Sequence, residues 1–309
     1  MLTPSSLRNV SKYLTACALL ALAGAFANAQ NPGGSPGSIV FYGAGNSQPN
    51  NQIYTMNPDG TNPVRATFDS ASDVDPDISP NGKNLVFTSN QTGNNDIYIM
   101  DRRSGTTFDL TNNPANDEWA RFSPDGKQIV FDSNRDGGVF EIFVMNADGS
   151  GMPTQLTFPP TLSRYPGWSP DGKQIVFRHG IDIYVMNADG SGTPTQLTHE
   201  IAPSFAQMAN FSPNGQYVTF MSLREGYCSV FLINSDGSGQ TNLTPKDPAD
   251  PSTSWCSRAP AWSADGHEIY FMSLRPSTGG HNQIFVMNTD GSNLQQLTSV
   301  GTGGEPRAR

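Results

Sequence analysis

One short apolar strand is written six times along this 309-residue chain, at residues 53–56, 97–100, 142–145, 183–186, 230–233 and 284–287. Between the aromatic residues Tyr54, Tyr98, Phe143, Tyr184, Phe231 and Phe285 the spacings are 44, 45, 41, 47 and 54. The usual continuation is an Asn-x-Asp-Gly turn, then a polar run ending in Leu-Thr. A period in the forties, with four short strand signals per unit, is the mark of a β-propeller blade. Six units predict an all-β, six-bladed propeller of four-stranded antiparallel blades.

The third unit reads most plainly. Residues 119–122, ending in Phe122, form an innermost strand, and Ser123-Pro124-Asp125-Gly126 is its turn. Proline presets the backbone angle at the second turn position, and glycine accepts the left-handed conformation that closes it. Residues 128–131 and 141–145 are the second and third strands. They are apolar at successive positions because neighbouring blades cover both faces. Residues 154–157 form the outer strand.

The Ser-Pro turn recurs at Ser79, Ser169, Ser212 and, as Ser-Ala, at Ser263, giving five copies for six blades. Past the N-terminal segment the chain opens on a second strand at residues 38–41. At the other end Gly304-Glu305-Pro306-Arg307-Ala308 reads like a first strand. One blade is therefore expected to be stitched from both ends, which leaves no sheet edge open around the ring.

Trp168-Ser169-Pro170-Asp171-Gly172-Lys173, then Ile183-Tyr184-Val185-Met186-Asn187-Ala188-Asp189-Gly190, then Gln196-Leu197-Thr198 resembles the repeat of TolB-type propellers. The resemblance covers residues 38–309, and it implies a propeller of the TolB type. TolB also carries an α/β domain before its propeller, and this protein is expected to lack it. The same propeller occurs fused to prolyl-oligopeptidase-type hydrolases and in tricorn-like proteases, whose catalytic domain is likewise not expected here.

Residues 1–29 read as a cleaved leader, with Arg8 and Lys12, an apolar stretch at 14–26, and Ala27-Asn28-Ala29 as the cleavage site. A Gly/Pro linker at 30–37 precedes the propeller. The expected location is the periplasm or outside the cell, without membrane insertion. Formal net charge is −9, and removing the two leader cations leaves 16 Lys and Arg against 27 acids, near −11. Such acidity repels phosphate backbones and anionic membrane surfaces, so nucleic acid is not an expected partner. Two cysteines follow the leader, Cys228 and Cys256. An even count in an exported protein, on loops of the same propeller face, predicts a disulfide.

No catalytic constellation emerges, so the protein is expected to be non-enzymatic, without a cofactor or metal. Residues 33–37 spell Gly-x-Ser-x-Gly, but within a linker instead of between strand and helix. Asp-Gly in the repeated turns is hairpin chemistry, since each turn offers too few oxygens for a calcium loop. The competing reading is a polysaccharide-acting lyase or hydrolase. It would gather His179, His199 and His281, or Asp73, Asp75 and Asp77, around a metal at the channel.

The five uniform turns share one face, and unequal loops at residues 199–209, 245–260 and 272–282 occupy the other. Variable loops on a rigid scaffold usually carry recognition. The expected ligand-binding residues are those entering the first strands at that channel mouth: Asp75, Glu118, Trp119, Arg164, Tyr165, Gln207, Met208, Arg258 and Glu305. Phe122, Trp168, Phe211 and Trp262, just before the turns, are read as inter-blade packing. The resulting expectation is a monomeric binding or scaffolding module for an envelope protein, peptide or saccharide.

Overall fold

The computed structural model describes residues 38–44, 50–246, 256–275, 278, 281–299 and 302–308. The leader, the linker and most of the 245–260 loop lie outside the described residues. The remainder forms six four-stranded antiparallel sheets around an axis. In the first blade β24 (Thr302–Ala308), β1 (Ile39–Ala44), β2 (Gln52–Met56) and β3 (Val64–Arg65) run from the axis outward. Among the described residues the last strand therefore pairs with the first, as the sequence predicted, with Ile39 opposite Ala308.

The other inner strands are β4 (Asp73–Ile78), β8 (Asp117–Phe122), β12 (Ser163–Trp168), β16 (Ala206–Phe211) and β20 (Cys256–Trp262). Each pairs with the strand that follows it in sequence.

The repeated letters explain the blades atom by atom. In the Ser-Pro-Asp-Gly turn after β8, Ser123 Oγ donates to Asp125 Oδ1 at 2.7 Å and accepts from the Gln128 N–H at 2.9 Å. The turns at Ser79, Ser169, Ser212 and Ser263 repeat the arrangement. The Thr of Leu-Thr is a clasp: Thr157 Oγ1 accepts the Ile142 N–H at 2.9 Å and donates to Glu141 Oε2 at 2.5 Å. Thr67, Thr111, Thr198, Thr244 and Thr298 accept the equivalent N–H in their blades. The second blade departs from the Asn-x-Asp-Gly pattern: Asp101 caps the N–H groups of Arg103 and Ser104 instead.

Six apolar clusters hold the ring together, each straddling two successive blades. Val86 and Ile97 of the second blade, for example, pack on Phe122 and Ile129 of the third. Ile39 and Phe41 meet Tyr270 and Ile284, which closes the sixth interface. Burying each such residue contributes about 1.5–3 kcal/mol relative to exposure, so the apolar strands stabilise the ring in the same places that define the blades. A disulfide joins Cys228 to Cys256, with the Cα atoms 4.3 Å apart, and links the approach to β18 (Ser229–Asn234) with the start of β20. Among the described residues no helix is long and apolar enough to cross a membrane.

Candidate functional site

Every inner strand carries a bulge, and the same step of each bulge holds a non-glycine residue at positive φ. The six are Asp75, Trp119, Tyr165, Met208, Ala259 and Glu305, with φ between 46° and 60°. The strand register shifts at each of these positions. A left-handed non-glycine residue is strained by about a kcal/mol. Because all six blades share that strain, the bulge is a building device of the ring. The backbone seat is constant while the residue aimed at the axis changes.

Five of the six residues were among the expected ligand residues; Ala259 was not. Trp119, Met208 and Ala259, from three blades, form a buried cluster that Tyr165 of a fourth packs against. Trp119 and Tyr165 meet edge to face with centroids 4.5 Å apart. The axis is plugged by apolar contact at this level. Asp75 and Glu305 complete the ring and are buried. Burial, and then the charge of Glu305, raise the Asp75 carboxyl well above its ordinary range. Tyr42 beside them is pushed up as well, first by Glu305 and then by burial.

On the loop side, two of the four remaining expected residues, Glu118 and Arg164, pair with each other. Arg164 forms ion pairs with Glu118 and, at 3.3 Å, with Asp132, and it lies 4.0 Å from the Phe140 ring centroid. Asn95 Nδ2 also donates to Glu118, at 2.7 Å. Asp132 accepts the Tyr165 N–H at 2.9 Å; burial raises it to about 7 against the pull of Arg164. Gln207 Oε1 accepts from Arg178 at 3.0 Å. Arg258 is half-buried, and its Nε has no hydrogen-bond partner.

The residues weighed as metal ligands lie apart. His199 and His281 are exposed, whereas His179 hydrogen-bonds Ser163 and packs edge-on against Tyr184. Among the described residues no group of three or more His, Cys, Asp or Glu side chains is placed to hold a metal.

The opposite face, that of the Ser-Pro turns, opens into a cavity of about 390 Å³, within the usual size of a small-ligand site. Its collar is built from Phe122, Trp168, Phe211 and Trp262 and from the turn prolines Pro80, Pro124, Pro170 and Pro213. The aromatic residues do pack between blades: Trp168 Nε1 donates to the Arg121 carbonyl at 3.1 Å, and Trp262 Nε1 to the Asn210 carbonyl at 3.3 Å. They also wall the funnel, a second role that the sequence does not announce. Two residues past each bulge, the inner strands contribute Asp77, Arg121, Gly167, Asn210, Ala261 and Arg307 to its floor.

Arg121 and Arg307 are only 4% and 6% exposed. Neither stands out in the sequence, although they occupy one column of the six aligned repeats with small or polar residues elsewhere. That column is the signal that would have found them.

A family model described as the TolB beta propeller domain matches residues 73–182. Among solved structures, TolB from Acinetobacter baumannii superposes with TM-score 0.72 at 21% identity, over 88% of this protein and 66% of that one. The chain thus spans just under two thirds of that relative. A putative TolB from Agrobacterium tumefaciens gives TM-score 0.69 at 22% identity, over 89% of this protein and 98% of that one. Oligogalacturonate lyase from Vibrio parahaemolyticus is more distant: TM-score 0.56, 12% identity, 84% of this protein and 79% of that one.

Proposed function

Because this protein is a TolB-like six-bladed propeller, we propose that it acts as an exported, non-enzymatic binding module for a peptide segment of a cell-envelope protein. The observation that carries this reading is the turn-face funnel, an open cavity of about 390 Å³ with an aromatic and proline collar and charged groups at its floor. A rigid aromatic and proline collar suits an extended peptide, which makes its contacts with little ordering cost to the receptor. The loop-side mouth is a weaker candidate, since Glu118, Arg164 and Gln207 there are already engaged with protein partners. The saccharide-cleaving alternative finds less support. His199 and His281 are both exposed, and His179 is bonded to Ser163.

The test places the same bulky maleimide adduct on either face. Ala264 is exposed at the funnel rim, and Ile201, 84% exposed, lies in a loop of the opposite face. Cys228 and Cys256 are bonded to each other, so Ala264→Cys and Ile201→Cys each add a thiol that can be labelled selectively. Peptides selected by display on the unlabelled mature protein should lose binding to the Ala264→Cys adduct and keep it on the Ile201→Cys adduct. The reverse pattern would move the binding face to the variable loops.

A further inference from the structure

We propose that the funnel recognises a carboxylate carried by an apolar peptide, held at the floor by Arg121 and Arg307. This rests on the peptide-binding reading above and adds the chemistry of the ligand.

The two guanidinium groups are built into the floor. Arg121 Nη1 donates to the carbonyls of Ala120 at 2.7 Å and Asp75 at 3.2 Å. Arg307 Nη1 faces the carbonyls of Pro260 and Pro306 at 3.4 and 3.3 Å. Beyond these, Arg121 Nε and Nη2 and Arg307 Nε have no hydrogen-bond partner in the protein. Buried donors of this kind leave a cost that an incoming acceptor offsets.

Charge points the same way. Asp77 is the carboxylate on this floor, and its Oδ2 already accepts the Phe122 N–H at 2.9 Å. Asp75 and Glu305 lie one layer deeper, where burial, then the charge of Glu305, then a hydrogen bond between the two raise the Asp75 carboxyl and oppose a second full negative charge. Burial, and then Arg121, push Arg307 down to about 9 against the pull of Asp77, Glu305 and Asp75. Guanidinium forks match carboxylates in shape as well as sign.

The walls choose among anions. Ser169, Ser212 and Ser263 direct their hydroxyls into their own turns, and Asn210 Nδ2 donates to the Met208 and Pro260 carbonyls. A sugar would find few partners for its hydroxyls. The protein as a whole carries −9, which disfavours multiply charged anions such as phosphate. A single carboxylate behind apolar residues fits the remaining chemistry. Its source is either the free C-terminus of a peptide or an Asp or Glu side chain.

Calorimetry on the mature protein tests this with four probes: acetyl-Ala-Pro-Leu as the free acid, the same peptide as its amide, acetyl-Ala-Pro-Asp amide, and digalacturonate. The free acid or the Asp peptide should bind at least tenfold more tightly than the neutral amide, and whichever binds better identifies the source. Arg307→Gln and the milder Arg307→Lys, each checked for folding by circular dichroism, should reduce that preference, the Gln variant abolishing it. Equal affinity for acid and amide overturns the carboxylate inference, as does tighter binding of digalacturonate, a preference that survives in folded Arg307→Gln, or no binding by any probe. If acid and amide bind equally but the Ala264→Cys adduct blocks both, only the carboxylate claim falls. If binding persists through that adduct, the funnel reading falls as well.

Discussion

Replacing Thr157 by Val tests whether Leu-Thr is a structural clasp or a surface decoration. Thr157 is 7% exposed, and its hydroxyl serves two buried partners, the Ile142 N–H at 2.9 Å and Glu141 Oε2 at 2.5 Å. Valine keeps the shape and removes both bonds. The orphaned backbone N–H costs about 1–3 kcal/mol. Glu141 is fully buried, its Oε1 already lacks a partner, and burial already raises its carboxyl, so losing Thr157 adds about 1 kcal/mol or more. The total loss is therefore about 2–4 kcal/mol, and at about 2–4 °C per kcal/mol the melting temperature should fall by roughly 10 °C. Thermal denaturation followed by circular dichroism at pH 7 reads this directly. Thr157→Ser keeps the hydroxyl and should stay within about 1 kcal/mol of the parent. Thr154→Val, exposed on the short outer strand just before Thr157, should change stability by less than about 0.5 kcal/mol. Thr157→Val melting together with Thr154→Val would refute the clasp.

Asp75→Asn should raise the melting temperature at pH 8 and leave it unchanged near pH 4. Burial and Glu305 raise the folded-state Asp75 carboxyl, so its favourable contribution is present below the unfolded value of about 3.9 and is lost as pH rises; a stabilising effect equal at both pH values would contradict this. Arg164→Met leaves Glu118 and Asp132 without their cation, and urea midpoints should show a loss of about 3–5 kcal/mol. Adding Asp132→Asn to Arg164→Met should restore part of that loss, and a further fall would mean that the pairing is not the cause. Cys228→Ser opens a cross-link spanning 28 residues, which contributes about 3.5 kcal/mol by the loop-entropy relation. Equal urea midpoints for Cys228→Ser and the parent would show that the disulfide does not stabilise the ring.

The ring was legible because its instructions are local and repeated. Ser123 and Asp125 bond within their own turn, Thr157 reaches only the third strand of its own blade, and the Glu305–Ala308 strand carries the same Pro at its second position as the 75–78, 165–168 and 259–262 segments. The site was less legible because it depends on what six blades present jointly. Trp168 and Trp262 read as inter-blade packing, and their indole N–H groups do bridge blades, yet the same rings wall the funnel. The positive φ at Trp119, Tyr165 and Met208 has no sequence signature, since glycine is absent from all six positions. That bulge sends residue 119 into the axial plug and residue 121 to the funnel floor, a separation of roles that strand alternation alone does not predict. Glu118 and Arg164 are ion-pair partners of each other.

Hydrogen–deuterium exchange on the mature protein, with and without a saturating display-selected peptide, measures most directly which face binds. Exchange should slow in the Ser-Pro turns, at the amides of Ser123, Ser169, Ser212 and Ser263, with the loops around Ile201 and Thr278 unchanged. Protection confined to those loops, with the turns unaffected, would contradict binding in the funnel.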